Sequence, residues 1–97
     1  MRTIHKFPLA LLSQTEVTLF EWPIGAKVLY AGVQREHPYV WVLLDTDETR
    51  VESRRIRIVG TGLPVSKHAD ENNYLGTLLM HGGDLVLHVF DLDKEPQ

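Results

Sequence analysis

The segment Tyr74-Leu75-Gly76-Thr77-Leu78-Leu79-Met80-His81-Gly82-Gly83-Asp84-Leu85-Val86-Leu87-His88-Val89-Phe90 decides the fold. Two apolar runs flank a Gly-Gly pair, and glycine reaches the positive φ angles of a tight primed hairpin turn without steric cost. A turn at Gly82-Gly83 sets His81 opposite Asp84 and Thr77 opposite His88. Side chains alternate across a strand, so Leu78, Met80, Leu85, Leu87 and Val89 form one wholly apolar face. The other face carries Thr77, Leu79, His81, Asp84, Val86 and His88 and is mixed. A hairpin built this way must lay its apolar face on a core.

The same rhythm runs through the rest of the chain, and no segment shows a helical period. Seven strands are predicted. The first is Arg2 to Phe7, ended by Pro8, and the second is Thr15 to Phe20, followed by a turn at Trp22-Pro23-Ile24-Gly25. Lys27 to Gln34 and Tyr39 to Asp45 flank an Arg35-Glu36-His37-Pro38 loop. A polar loop, Thr46 to Thr49, leads to a fifth strand, Val51 to Val59, and a long connection runs from Gly60 to Asn73. Tyr74 to His81 and Leu85 to Leu92 close the fold, leaving Asp93 to Gln97 as a frayed tail.

If the third and fourth strands pair across the four-residue loop, Gly32 lies opposite Trp41, where an aromatic ring can cover bare backbone. Both faces of this hairpin are then largely apolar. Ala31, Leu29, Val33, Val40, Val42 and Leu44 line one, and Val28, Tyr30, Tyr39, Trp41 and Leu43 line the other. A two-sided apolar hairpin must be covered twice. A short chain has little material for both covers, which favours self-association.

The chain has 97 residues, the length of one domain spanning 1–97, and 43% of them are apolar. Its net charge of −3 argues against binding nucleic-acid polymer, so an anion site has to be a local patch. With no cysteine there is neither a disulfide framework nor a thiolate zinc site. No stretch resembles a signal peptide or reaches the eighteen or so apolar residues of a membrane span. The expectation is therefore a cytoplasmic all-β protein without membrane contact: a single antiparallel domain, mostly meandering, built as a small barrel or sandwich.

The most charged region is the fifth strand, with Arg50, Glu52, Arg54, Arg55 and Arg57, ending in Ile58-Val59-Gly60-Thr61-Gly62. Alternation puts Arg55 and Arg57 with Val51 and Val59 on one face, and Arg54, Ile56 and Ile58 on the other. Arg55 and Arg57 lie roughly 7 Å apart along the strand, a spacing that suits a phosphate or carboxylate. Gly60, Thr61 and Gly62 can add backbone N–H groups and a hydroxyl. The plain alternative is a solvated edge whose charges block aggregation, and Gly-Thr-Gly lacks the lysine and strand-to-helix context of a P-loop. Tyr39 and Trp41 are the aromatics placed with this anion site as stacking surfaces, against the plain alternative of core packing.

Other chemistry is weaker. His81 and His88 share a face but lie about 13 Å apart, too far to bind one metal within a chain, and His5, His37 and His68 show no zinc-site spacing. The acidic residues sit mostly in loops, and Ser13, Ser53 and Ser66 lack a nucleophile elbow. No catalytic residue, metal ligand or cofactor is expected.

Met1-Arg2-Thr3-Ile4-His5-Lys6-Phe7, Gly25-Ala26-Lys27-Val28-Leu29 with Gly32-Val33-Gln34, Ile58-Val59-Gly60-Thr61-Gly62 and Gly82-Gly83-Asp84-Leu85-Val86-Leu87-His88-Val89-Phe90 resemble a family of small uncharacterised proteins encoded by bacteriophages and prophages. The resemblance spans nearly the whole chain. It implies an accessory phage protein in the host bacterial cytoplasm, and carries over no catalytic residue. Small oligomeric phage proteins often antagonise host defence, some by sequestering nucleotide-derived immune signals between subunits. The expectation is thus a non-enzymatic homo-oligomer that binds a nucleotide-like anion. The competing class is a module that binds a host or phage protein through its apolar faces, and a phosphate-ester hydrolase is disfavoured because no general base is identifiable.

Overall fold

The computed structural model describes residues 1–94. Its seven strands are β1 (Arg2–Pro8), β2 (Thr15–Pro23), β3 (Lys27–Gln34), β4 (His37–Asp45), β5 (Val51–Gly60), β6 (Tyr74–Met80) and β7 (Leu85–Asp91). They form two antiparallel sheets, a three-stranded one in the order β1-β4-β3 and a four-stranded one in the order β2-β5-β7-β6. The sheets stack on a shared core and neither closes on itself, so of the two predicted architectures the protein adopts the sandwich. Among the described residues no helix is long and apolar enough to cross a membrane.

Only β3–β4 and β6–β7 join strands adjacent in sequence. β1 pairs β4 and β2 pairs β5, so each sheet is tied by long-range ladders around a local hairpin. The inner faces carry Val40, Val42 and Ala31 from one sheet and Trp22, Ile56, Ile58, Leu78, Leu87 and Val89 from the other, all buried.

In the β6–β7 hairpin Thr77 faces His88, the register read from the sequence. The turn is wider than a two-residue loop: His81, Gly82 and Gly83 all have positive φ (54°, 68° and 97°), and the Asp84 N–H closes it by donating to the His81 carbonyl at 3.3 Å. Leu78, Met80, Leu87 and Val89 are buried, while Thr77, Leu79, His81 and Asp84 are exposed.

The β3–β4 hairpin departs from its expected register by two residues. Its turn is Arg35-Glu36 alone, with φ of 51° and 68°, the left-handed pair that a type I′ turn requires. His37 and Pro38 therefore belong to β4, Gly32 faces Tyr39, and Trp41 faces Tyr30. Gly32 is still covered by an aromatic, but the cover is Tyr30 from its own strand; a Cβ on Gly32 would run into that ring. A β-bulge at Leu29 adds a second correction. It turns Leu29 out to solvent and brings Val28 inward against the core, the reverse of simple alternation.

The long connection after β5 folds back over the outer face of the four-stranded sheet, where Ala69 packs on Val59 and Phe90 in a second small core. Asp93 and Lys94, expected in a frayed tail, are anchored: Asp93 binds Arg55, and the Lys94 ammonium donates to the Asn72 carbonyl at 3.0 Å. Residues 95–97 of that tail lie outside the described residues.

Candidate functional site

The residues singled out in the sequence divide between opposite faces of the sandwich. Arg55 and Arg57 sit on the outside of β5, because Arg54, Ile56 and Ile58 between and beyond them are buried. Tyr39 and Trp41 sit on the outside of β4, because Val40 and Val42 are buried. Within one protomer the two groups do not converge.

On the β5 face, Arg55 is already engaged by a carboxylate. Its guanidinium donates to Asp93 at 2.8 Å, and its backbone N–H donates to the same side chain at 2.6 Å. These bonds hold the Asp93 carboxyl below the usual carboxylate range. A carboxyl whose pKa is lowered by folding adds stability that is present above its unfolded pKa and lost as pH falls through the folded value. Stability should therefore drop on acidification below about pH 4. The drop should be shallower in Asp93→Asn, as urea melts across acidic pH would read. Arg57 lies across from Val17 and Phe90, half-buried, and has no salt bridge among the described residues.

Gly60-Thr61-Gly62 is not an open anion cradle. The Gly60 N–H donates to the Gln14 carbonyl at 2.7 Å and the Thr61 N–H to the Val86 carbonyl at 3.2 Å, so both donors face the protein. Thr61 has a different role, and it joins residues the sequence reading left apart. Its hydroxyl lies 2.7 Å from His88 Nε2, and His88 Nδ1 lies 2.9 Å from the Tyr74 hydroxyl, which also bonds Thr77. Both imidazole nitrogens are engaged, so His88 ties β6, β7 and the loop after β5 together. The hairpin register places Thr77 beside His88, but nothing local brings Thr61 to the same ring.

On the other side, the outer face of the three-stranded sheet is uncovered among the described residues. Tyr30, Trp41 and Tyr39 form a continuous aromatic strip, with ring centroids 5.7 Å apart between Tyr30 and Trp41 and 6.0 Å between Trp41 and Tyr39. Lys6, opposite Trp41 on β1, places its ammonium 4.5 Å from the Tyr39 ring centre and donates to Gln34 at 2.7 Å. Tyr30 is 59% exposed and Ile4, beside Leu43, is 53% exposed, so this is the two-sided apolar hairpin with one side uncovered. Tyr30 was placed on this face by alternation; Lys6 was missed because the β1–β4 pairing is long-range.

At the end of the sandwich, Arg54 is buried on the core face beside Ile56. Its guanidinium donates to Asp91 at 2.7 Å and to the Ala26 carbonyl at 2.7 Å, and lies 5.5 Å from the Trp22 ring. Glu52 approaches to 3.7 Å. Alternation already set Arg54 on the Ile56–Ile58 face, and a charged residue on an apolar face demands a partner. Beside it opens a cleft of about 560 Å³ between the 24–29 segment, which leads from the turn into β3, Leu75 of β6 and Asp91 at the end of β7.

One comparison identifies the chain. A family model described as a domain of unknown function, DUF7352, matches residues 1–97. The chain belongs to the DUF7352 family. No curated protein and no solved structure matches it. The match is to the whole chain, so both sheets, the aromatic face and the Arg54 cleft all fall within the DUF7352 domain.

Proposed function

We propose that this DUF7352 chain is a non-enzymatic, homo-oligomeric binding protein that captures a nucleotide-derived anionic ligand. The observation that carries the reading is the solvent-facing strip Tyr30–Trp41–Tyr39 with Lys6 beside it. Aromatic rings offer sequence-tolerant stacking to any base, and a neighbouring cation meets the phosphate. The resemblance to phage-encoded proteins supplies the setting: a phage accessory protein in the bacterial cytoplasm, sequestering a host immune signal to blunt anti-phage defence. Its apolar outer face supports assembly of subunits around such a ligand.

Titration of nucleotides and cyclic dinucleotides against wild type, Trp41→Ala and Arg57→Ala tests this. Trp41→Ala should weaken binding by about 1–3 kcal/mol, the worth of one stacked base, and Arg57→Ala should leave it unchanged. The reverse pattern would move the site to the β5 face. Native mass spectrometry should show a dimer or larger with retained ligand. If wild type binds no nucleotide, the second reading replaces the first: a module docking on a host or phage protein. That reading draws on Ile4, Leu29 and Tyr30, exposed hydrophobics of the same sheet.

A further inference from the structure

We infer that the seam between β3 and β6 is a binding pocket for a small organic anion, a phosphate monoester or carboxylate on an apolar body. These strands are the free edges of the two sheets, and they run side by side without a ladder; a Cβ on Gly76 of β6 would lie 3.2 Å from the Ala31 carbonyl of β3. Each edge carries one β-bulge, at Leu29 in β3 and at Leu75 in β6, and both bulged residues line the same cleft. Bulges next to binding sites re-aim side chains and stop edges from pairing. Here they leave the seam open. The resulting space, about 560 Å³, is the size that holds a small molecule.

The lining specifies the ligand class. Ile24, Val28, Leu29 and Leu75 supply apolar wall. Lys27, Arg54 and Lys94 face Glu52 and Asp91, three cations to two carboxylates, a net positive cleft in a chain of net charge −3. Both carboxylates approach Arg54, at 3.7 and 2.7 Å. Among the described residues Lys94 bonds only a neutral carbonyl and Lys27 has no carboxylate partner. At the base, the Arg54 side chain is 6% exposed and is fixed by Asp91 and the Ala26 carbonyl, a held cation behind the two lysines.

The site is separate from the aromatic strip, so the two readings fail separately. The test is an amide NMR titration of the full chain with 1-naphthyl phosphate, 1-naphthoate and neutral 1-naphthol. Shifts are expected at Gly25, Ala26 and Leu75 with one or both anions, and the preferred anion separates phosphate from carboxylate recognition. Lys27→Ala and Lys94→Ala should each weaken binding roughly tenfold, as loss of a hydrogen bond to a charged group implies. Leu75→Trp should block the cleft; Ile24→Trp, at a more exposed wall, serves if the first does not fold. Trp41→Ala should change nothing. Equal binding of 1-naphthol, shifts confined to the Tyr39–Trp41 face, no binding of either anion, or unaltered affinity in both lysine variants would overturn the assignment.

Discussion

Asp91→Ala is expected to lower the unfolding free energy by about 3–5 kcal/mol, the cost of leaving one partner of a buried ion pair alone. Asp91 is 2% exposed and is the only carboxylate within 3 Å of the Arg54 guanidinium among the described residues. Removing it leaves a nearly buried cation beside Trp22 and Ala26 with only Glu52, 3.7 Å away, as a carboxylate neighbour among the described residues. Arg54→Met should be comparably costly, since it strands the Asp91 carboxylate and the Ala26 carbonyl. The pair Arg54→Met with Asp91→Leu should be much milder than the two single effects combined, because neither charge is then left unpaired. A double-mutant cycle in urea checks this. Single variants that each cost under about 1 kcal/mol would mean that the pair behaves as an exposed surface bridge.

The parts of this fold that were legible are those encoded locally. Gly82-Gly83 marks its own turn, so the β6–β7 register and both its faces follow from alternation. Arg35-Glu36 carries no such mark, since neither residue favours a positive φ, and the four-residue loop read there shifts the β3–β4 register by two. A slip of two preserves the side on which each residue lies. Val40, Val42 and Ala31 are therefore buried as expected even though Gly32 meets Tyr39 rather than Trp41. Only the bulge at Leu29 changes sides, and a bulge has no periodic signature.

The candidate sites divide in the same way. The shared outward face of Arg55 and Arg57 follows from alternation, and so does the inward face of Arg54. What occupies those groups lies far along the chain. Asp93, 38 residues from Arg55, takes the guanidinium expected to bind an anion, and the carbonyls of Gln14 and Val86 take the amides of the glycine loop. Lys6 reaches Tyr39 only through the β1–β4 ladder. Each of these contacts depends on topology, which apolar periodicity does not encode.

The two tryptophans should respond differently to truncation. Trp22 is 1% exposed and stacks on Phe20 at 4.6 Å between centroids, with Phe7 at 5.3 Å and the Arg54 guanidinium on the same ring. It bridges the sheets: Phe20 and Trp22 belong to β2, Phe7 to β1. Trp22→Ala should cost about 3–5 kcal/mol through lost apolar burial and the cavity left behind. Trp41, for which core packing is the plain alternative to stacking, is half-buried on the outer face. With one side of its ring open in the single chain, Trp41→Ala should cost about 1–2 kcal/mol at concentrations where the chain is monomeric. A third variant separates packing from polarity. The Trp22 indole N–H is buried and has no acceptor among the described residues. Trp22→Phe removes that unpaired donor together with part of the ring, and the relief of an unsatisfied polar group offsets some of the lost volume. Its cost should be well under half that of Trp22→Ala. Chemical denaturation of the three variants reads the order directly. If Trp41→Ala proves as destabilising as Trp22→Ala, the outer face of the three-stranded sheet is buried in solution, and a second copy of the chain covers it.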